Sequence, residues 1–239
     1  LLDFDSIASY SWGSACLAHL FHQLCRATNR DASVISGDLG LLTMWAAERI
    51  VPLRFVLKNP VGQEYHQALG RRWSGQVNRR ISKKCILVEV YRSKLDRLKD
   101  EDVVWVPYTE GIIANLPGIC HRDQRLWLAR VPLISFYAVE WHYPDRVFRQ
   151  FGYVQGISNP PEPDDGTHTA AKGGRGQRGT KWDDLFPRHV SLWRDDQHTF
   201  VCRPGMPTER RSVHYHDGYM DWYRRITRRF ISHLGASVH

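Results

Sequence analysis

Three side chains that could do acid–base chemistry stand close together in the stretch 139–152, VEWHYPDRVFRQFG: Glu140, His142 and Asp145. General acid–base catalysis requires such groups to converge on one cleft, where their surroundings shift their pKa values. Glu140 and His142 are two residues apart, and on a helix that spacing points side chains to different sides. Asp145 follows Pro144, and a carboxylate in the first turn of a helix is stabilised by the helix dipole. The spacing therefore favours a structural role over a catalytic one.

Two histidine pairs have the residue type for metal binding: His19 and His22 in HLFH, and His214 and His216 in HYH, which Asp217 follows. A zinc site needs three or four ligands in a defined geometry. No further ligands occur at a recognisable spacing, and His19 and His22 lie beside an apolar helix face, where packing or capping is commoner. The sequence thus predicts no metal site and no cofactor.

Motifs for nucleophilic catalysis or phosphate binding are also missing from the sequence. It contains no G-x-S-x-G elbow, no G-x-x-x-x-G-K-[ST] loop and no G-x-G-x-x-G fingerprint placed between a strand and a helix. The glycine-rich GGRGQRG lies in a low-complexity stretch rather than between a strand and a helix. We therefore expect no catalytic residue and no enzyme.

The predicted final helix has a basic face that could grip phosphates. Its apolar arc contains Met220, Tyr223, Ile226, Phe230, Ile231 and Leu234. The candidate nucleic-acid-binding residues, on the opposite side and just upstream, are Arg224, Arg225, Arg228, Arg229, Arg210 and Arg211. Arginines on one face can bind phosphates and release counterions. A merely solvated helix face is an equally good interpretation, because a run of charge is not specific.

Composition sets the protein class and the expected type of partner. The 239 residues are 42% hydrophobic and 12% aromatic, which is typical of a globular chain. A net charge of +8 favours an anionic partner, with nucleic acid ahead of membrane. Five widely spaced cysteines form no C-x-x-C pair, which fits a reducing compartment, the cytosol or the nucleus. No apolar run reaches membrane-spanning length.

The elements expected to position these residues are mainly helices. Apolar spacing predicts helices within 11–28, 36–52, 60–73, 83–99, 122–142 (kinked near Pro132), 144–152, 182–194 and 217–234. In the second of these, Leu41, Leu42, Trp45 and Ala46 are expected to face inward. The best strand-like segment is VVWVPYT at 103–109. The fold class is therefore mainly α, a multi-helix globular domain with at most a small β element.

The proposed division of the chain follows its composition. Residues 157–180 are rich in proline, glycine and polar residues, which predicts a flexible linker or loop. Residues 1–156 are expected to form the core of one domain. Residues 181–239 are expected to form a C-terminal helical part of the same domain.

Four blocks of the sequence resemble the plant mobile domain. They are YSWGSACLAHLFHQLCRAT at 10–28, LLTMWAAERI at 41–50, ISFYAVEWHYPDRVFRQFG at 134–152 and YMDWYRRITRRFI at 219–231. This family, also labelled aminotransferase-like, is found in MAIN-like proteins. Similar segments occur in plant transposable elements, and some relatives carry the domain fused to a phosphatase 7-like domain.

The resemblance marks a set of residues as a structural signature of the fold. They are Trp12, Gly13, Trp45, Glu48, Arg49, Glu140, Trp141, His142, Pro144, Asp145, Arg146, Gln150, Phe151 and Gly152. The resemblance implies that 139–152 is a helix–turn–helix junction whose charges brace the corner, for example by a bridge from Glu140 to Arg146 or Arg149. Family members usually carry a TLxDVxxLLGL-like block before YSWGSA, and we expect that part of the domain to be missing here.

The resemblance also implies a function. It implies a plant nuclear protein linked to transposon silencing, gene-expression control, genome stability and meristem maintenance. The domain is implied to be non-enzymatic, with nuclear protein partners such as a phosphatase 7-like protein, with DNA or chromatin as a further partner, and with no membrane. The phosphatase motifs GDxHG, GDxVDRG and GNHE are missing, and nothing around Ser82 and Lys83 resembles a pyridoxal phosphate pocket.

Three hypotheses of function therefore remain, in decreasing order of support. The first is a transposon-derived nuclear module that binds protein partners and chromatin. The second is a direct DNA-binding domain that uses the basic C-terminal helix. The third is an enzyme, such as a degenerate transposon-encoded one.

Overall fold

The structure, a computed structural model, describes residues 10–29, 31–32, 34–54, 69–73, 86–135, 138–163, 166–168, 181–194, 199–200 and 217–227. Across these residues the chain is mainly α-helical with one small sheet, which confirms the fold class expected from sequence. The chain divides into two compact units. The first contains Leu1–Leu39, Arg125–Pro144 and Asn159–Met206, and the second contains Gly40–Gln124, Asp145–Ser158 and Pro207–His239.

The α-helices of the described residues are α1 Trp12–Ala27, α2 Leu39–Arg49, α3 Ile86–Asp96, α4 Glu110–Ala114, α5 Trp182–Leu185, α6 Pro187–Arg194 and α7 Tyr219–Ile226. The strands are β1 Ala129–Ser135, β2 Ala138–His142 and β3 Thr199–Phe200. Short 3-10 helices span Val51–Leu53, Leu69–Trp73, Asp100–Asp102, Gly118–Cys120, Gln124–Leu128 and Pro144–Phe151. Each of these helices is too short or too polar to cross a membrane.

The first unit is built on a β-hairpin that packs against α1. β1 pairs antiparallel with β2, and the two-residue β3 pairs with the start of β1, so the strand order is β2-β1-β3. The buried apolar cluster joins Ala18 of α1 to Ala129, Val131 and Leu133 of β1. The predicted helix over 11–28 is confirmed, and its inward face supplies the apolar side of this core.

The hairpin corrects a prediction from sequence, because 122–142 was expected to be helical. Short apolar runs do not distinguish a strand from a buried helix by periodicity alone. Pro132 has no N–H to donate within a helix, but it fits here. Its carbonyl oxygen accepts a hydrogen bond of 2.8 Å from the Trp193 indole. A proline is tolerated in a strand at a position where no ladder hydrogen bond needs its N–H.

The second unit contains α2, and the buried face of this helix differs from the predicted one. Ala47 and Glu48 are buried, whereas Trp45 is 38% exposed, although Trp45 was expected to face inward. The reason is electrostatic, because Glu48 is turned inward to accept hydrogen bonds from Arg72 and Trp73. The segment 103–109, predicted to be strand-like, forms no strand and contributes only an isolated antiparallel bridge between Val103 and Ile50.

The segment 139–152 is a strand followed by 3-10 turns, not a helix–turn–helix junction. β2 ends at His142, and Pro144 opens the 3-10 helix Pro144–Phe151, whose first position tolerates a residue without an N–H. Gly152 follows with φ of +83°, a backbone conformation that side chains with a Cβ rarely adopt. The predicted ending at Gly152 is confirmed.

Several predicted features lie outside the described residues. These are residues 169–180 of the predicted linker 157–180, residues 60–68 of the helix predicted within 60–73, the pair His214 and His216, and the part of the predicted final helix after Thr227. Thr227 itself is extended, so α7 ends at Ile226.

Candidate functional site

The first unit brings together two histidines and a glutamate that are far apart in sequence. Nδ1 of His22 lies 2.8 Å from Oε1 of Glu140. Nδ1 of His168 lies 2.9 Å from both carboxylate oxygens of the same Glu140. The two imidazole rings are 5.8 Å apart between centroids and meet edge to face at 75°. One carboxylate therefore holds two imidazoles, and we name these three residues the His–Glu–His cluster.

Burial distinguishes this cluster from a surface ion pair. His22 is 2% exposed and Glu140 7% exposed. The His168 side chain is 42% exposed, so the cluster has one open side. A buried carboxylate is stable only where other groups hydrogen-bond to it, and the imidazoles meet that need for Glu140.

Each member of the cluster is positioned by a different element. His22 is on the face of α1 that packs on the sheet, and Glu140 lies on β2, where it is paired in register with Leu133. His168 comes two residues after Gly166, whose φ of +86° gives a turn that favours glycine. A helix and a strand thus hold two of the groups rigidly, while a turn presents the third.

A second set of contacts joins the stretch after Asn159 to the same sheet. The Arg130 guanidinium donates to the carbonyl oxygen of Pro160 at 2.9 Å and lies 3.6 Å from the Glu162 carboxylate. The same guanidinium stacks over Tyr143, 4.9 Å from its ring centroid. The Tyr143 hydroxyl accepts a hydrogen bond from the backbone N–H of Glu162 at 2.9 Å. These contacts fasten the segment that leads towards His168.

The second unit has its own buried carboxylate, Glu48. Its oxygens accept hydrogen bonds from Nε of Arg72 at 2.9 Å, from the other end of the same guanidinium, and from the Trp73 indole at 2.5 Å. Burial raises the pKa of the nearby Tyr108, and hydrogen bonds from the backbone of Leu69 and Gly70 oppose that shift. This set of residues stabilises the fold, since its donors satisfy the acceptor.

Two of the six arginines predicted to bind nucleic acid fall within the described residues. Arg224 and Arg225 are exposed on α7, and both donate hydrogen bonds to Asp221. Arg224 donates to the Asp221 carboxylate at 3.5 Å, and Arg225 donates to the Asp221 carbonyl oxygen at 3.1 Å. The Asp221 carboxylate therefore offsets part of the positive charge of Arg224. Arg210, Arg211, Arg228 and Arg229 lie outside the described residues.

Exposed apolar side chains mark a different surface on the first unit. Trp182 and Leu185 of α5 are 38% and 45% exposed, and the Trp182 ring stacks on buried Phe186 at 6.3 Å. We name Trp182 and Leu185 the α5 patch. The stacking holds the Trp182 ring in one orientation while leaving part of it open to a partner.

The sequence model of the plant mobile domain matches residues 1–224. The chain belongs to the plant mobile domain family. It is 41% identical to an Arabidopsis thaliana protein named Serine/threonine-protein phosphatase 7 long form homolog, over 97% of this chain and 18% of that protein. It is 33% identical to Arabidopsis thaliana Protein MAINTENANCE OF MERISTEMS, over 70% of this chain and 33% of that protein.

A third relative extends the same pattern. Arabidopsis thaliana Protein MAIN-LIKE 1 is 30% identical over 94% of this chain and 40% of its own length. The chain thus spans well under half the length of these three relatives. No solved structure matches it significantly.

The plant mobile domain signature in the first unit supports the hairpin and the helix before it. Trp12 and Gly13 begin α1. On β2, Trp141 meets the ring of His189 edge to face at 6.0 Å. Nε2 of His142 lies 3.2 Å from the carbonyl oxygen of Trp127, to which it donates. None of these contacts makes His142 an acid–base partner of Glu140.

The signature in the second unit braces α2. The Trp45 indole donates to Oε1 of Gln150 at 3.1 Å, and the Arg49 guanidinium stacks over the Trp45 ring at 5.5 Å. Burial lowers the pKa of Arg49, and the nearby Tyr108 and Glu48 oppose that shift. Trp45 thus links Arg49 of the same helix to Gln150.

The rest of the signature follows Pro144. The buried Asp145 accepts a hydrogen bond at its carbonyl oxygen from Gln155 at 2.8 Å. Arg146 is exposed, and Phe151 is half-buried. Glu140 pairs with His22 and His168, which corrects the expected bridge from Glu140 to Arg146 or Arg149.

Sequence reasoning missed the His–Glu–His cluster as a unit. Its members are separated by 118 and 28 residues along the chain, so no local spacing could reveal it. His22 was assigned to packing beside an apolar face, and His168 lies in the predicted linker. The only available signal was that His22 falls on the inward side of a strongly periodic helix.

Proposed function

We propose that this chain is a non-enzymatic interaction module of the plant nucleus, which binds a phosphatase 7-like protein and serves transposon silencing, gene-expression regulation and meristem maintenance. One observation carries the proposal. Nearly the whole chain is similar to a segment that makes up only 18% of a protein named a phosphatase, and also to a segment of a protein named for meristem maintenance. A segment shared by such different proteins is best explained as a binding module.

The relative named a phosphatase also suggests the partner. Two domains on one polypeptide meet at an effective concentration set by their linker, which reaches the millimolar range for short flexible linkers. Contacts between complementary surfaces of the two domains add to that effect. We therefore expect this chain to present a surface that recognises a phosphatase 7-like domain.

The α5 patch is the surface best suited to that contact. Tryptophan is enriched among the residues that dominate binding energies. The stacking of Trp182 on Phe186 fixes its ring before binding, so little side-chain entropy is lost on association. Leu185 extends the apolar area beside it on the same helix.

The test is isothermal titration calorimetry of the purified chain with a phosphatase 7-like catalytic domain. We expect binding that Trp182→Ala weakens by at least about tenfold, as loss of a binding hot spot does. The matched control is Ile119→Ala, which removes an exposed apolar side chain that is 64% exposed in the second unit. Failure of the folded chain to bind, or equal weakening by both variants, would refute the proposal.

Direct DNA binding is the second candidate, and the exposure of Arg224 and Arg225 on α7 favours it. It predicts that the logarithm of the affinity for duplex DNA falls linearly with the logarithm of the salt concentration, by about 0.9 per neutralised phosphate. Fluorescence anisotropy should then show a shallower slope for the double variant R224A/R225A. The control R97A/R122A removes the same charge from exposed positions elsewhere, and an equal effect of both variants would argue against a specific DNA contact.

A further inference from the structure

The His–Glu–His cluster has the donor set of a transition-metal site. It contains two imidazole nitrogens and one carboxylate, and the ligand atoms of the three residues all lie within 4.8 Å of one another. Imidazole and carboxylate ligands in this ratio are the set that zinc uses in sites with three protein ligands and one open position. We propose that His22, Glu140 and His168 bind a divalent transition-metal ion, zinc first.

The nitrogen–oxygen distances need only a small adjustment to accept the ion, and the two histidine nitrogens lie within 4.8 Å of each other. Ligand atoms about 2.0–2.1 Å from a tetrahedral zinc are separated by about 3.3–3.4 Å. The nitrogen–oxygen distances here are 2.8 and 2.9 Å, so the groups must move apart by a few tenths of an ångström. His168 can provide that movement, because its side chain is 42% exposed and stands on a turn.

Burial explains why a metal would bind here rather than at any surface histidine. His22 and Glu140 are fixed by α1 and β2 and are almost fully withdrawn from water, so two ligands are already arranged before the ion arrives. The open side next to His168 leaves the fourth position to a water molecule. One carboxylate and two neutral imidazoles leave the zinc complex with a charge of +1, which suits a site in contact with solvent.

Zinc is favoured over harder cations by the ligand type. Magnesium and calcium prefer oxygen ligands, whereas imidazole nitrogen suits zinc, copper and nickel. The bound ion would tie α1, β2 and the turn containing His168 into one unit, in addition to the Arg130 contacts that hold the preceding segment. The ion would thus cross-link these three elements, and its binding is independent of the proposed binding to a phosphatase.

The test is titration of the chelator-treated chain with Zn²⁺ in competition with a chromophoric chelator. We expect one equivalent to bind to the wild-type chain. Loss of a residue that only hydrogen-bonds to a metal ligand weakens metal binding by about 10–100-fold. His168→Ala removes a ligand itself, so it should weaken zinc binding by more than that. Glu140→Gln should do the same with almost no change in shape. His168→Ala keeps the variant foldable, because it removes a partly exposed side chain from a turn.

Two control variants separate this site from other metal-binding groups. His19→Ala removes a histidine from the same helix, and the double variant C16A/C25A removes two exposed thiols that could bind zinc on their own. Both should bind zinc like the wild type. A Co²⁺ titration adds a spectroscopic signature, because four-coordinate Co²⁺ absorbs visible light far more strongly than aqueous Co²⁺, and thiolate ligands add a charge-transfer band that this site lacks.

The outcomes are decisive in both directions. One equivalent of zinc that is lost in His168→Ala and Glu140→Gln but kept in both controls supports the site. A zinc-dependent rise in the unfolding temperature of the wild type and both controls, but not of His168→Ala or Glu140→Gln, supports it as well. Failure to bind, binding that C16A/C25A abolishes, or equal binding by all variants would overturn it. In each of these cases the cluster is a hydrogen-bonded pair of imidazoles on a carboxylate.

Discussion

Replacing Glu48 by leucine should destabilise the second unit strongly. The Glu48 side chain is 3% exposed, and its carboxylate accepts hydrogen bonds from Arg72 and from the Trp73 indole. Leucine has a similar volume, so the substitution leaves little cavity, but it accepts no hydrogen bond. The loss therefore measures the polar contacts and not the packing.

The magnitude follows from the burial of the two donors. The indole of Trp73, a residue 3% exposed, loses its acceptor, which costs about 1–3 kcal/mol. The Arg72 side chain is 29% exposed, so water can hydrogen-bond to the guanidinium after the carboxylate is removed. The loss of this ion pair therefore costs less than the about 3–5 kcal/mol expected when a fully buried pair is broken. We expect a loss of about 2–4 kcal/mol in the free energy of unfolding.

The assay is urea unfolding followed by tryptophan fluorescence, with the free energy extrapolated to water. Glu48→Gln keeps one acceptor oxygen, so we expect it to cost less than Glu48→Leu. The control is Glu101→Ala, which removes an exposed ion pair with Lys99 and should change the free energy by no more than about 0.5 kcal/mol. If Glu48→Leu costs no more than this control, Glu48 does not anchor the fold as described.

Three further predictions concern other parts of the chain. Burial raises the pKa of Tyr108 above its ordinary value, so the unfolded chain loses this proton first as the pH rises. The contribution of Tyr108 to stability should therefore be complete below about pH 10 and decline as the pH rises through the folded pKa. Tyr108→Phe should reduce that decline when the free energy of unfolding is measured at about pH 9 and 11. Trp193→Phe should lower the free energy of unfolding by about 1 kcal/mol or more, because the carbonyl oxygen of Pro132 loses its indole donor; a change below about 0.3 kcal/mol in urea unfolding would contradict this. Gly152→Ala should cost about 1–2 kcal/mol, since φ is +83° there, whereas Gly111→Ala in α4 should not destabilise; equal thermal shifts of the two variants would refute the reasoning.

The helices were predictable where one periodic face meets a core. The helix predicted over 11–28 appears as α1, and the single helix predicted over 182–194 appears as two helices, α5 and α6. α2 was predictable in extent but not in orientation. Its buried face is set by the donors of Glu48, and Arg72 and Trp73 lie more than twenty residues further along the chain.

The hairpin and the His–Glu–His cluster were beyond local sequence reasoning for one physical reason. Both depend on contacts between distant segments, which periodicity does not report. β1 and β2 contain apolar runs that suit either a strand or a buried helix, and only pairing between them decides. Glu140 was recognised as a candidate residue, but its partners are His22 and His168 rather than its neighbours in sequence.

The most direct test of the central claim, that this domain is a protein-binding module, crosses two variants with two ligands. The wild type, W182A/L185A and R224A/R225A would each be titrated calorimetrically with a phosphatase 7-like catalytic domain and with duplex DNA in the same buffer. We predict that W182A/L185A loses affinity for the phosphatase domain by at least about tenfold while R224A/R225A retains it. Loss of phosphatase binding in R224A/R225A alone, or DNA binding by the wild type without any phosphatase binding, would contradict the account.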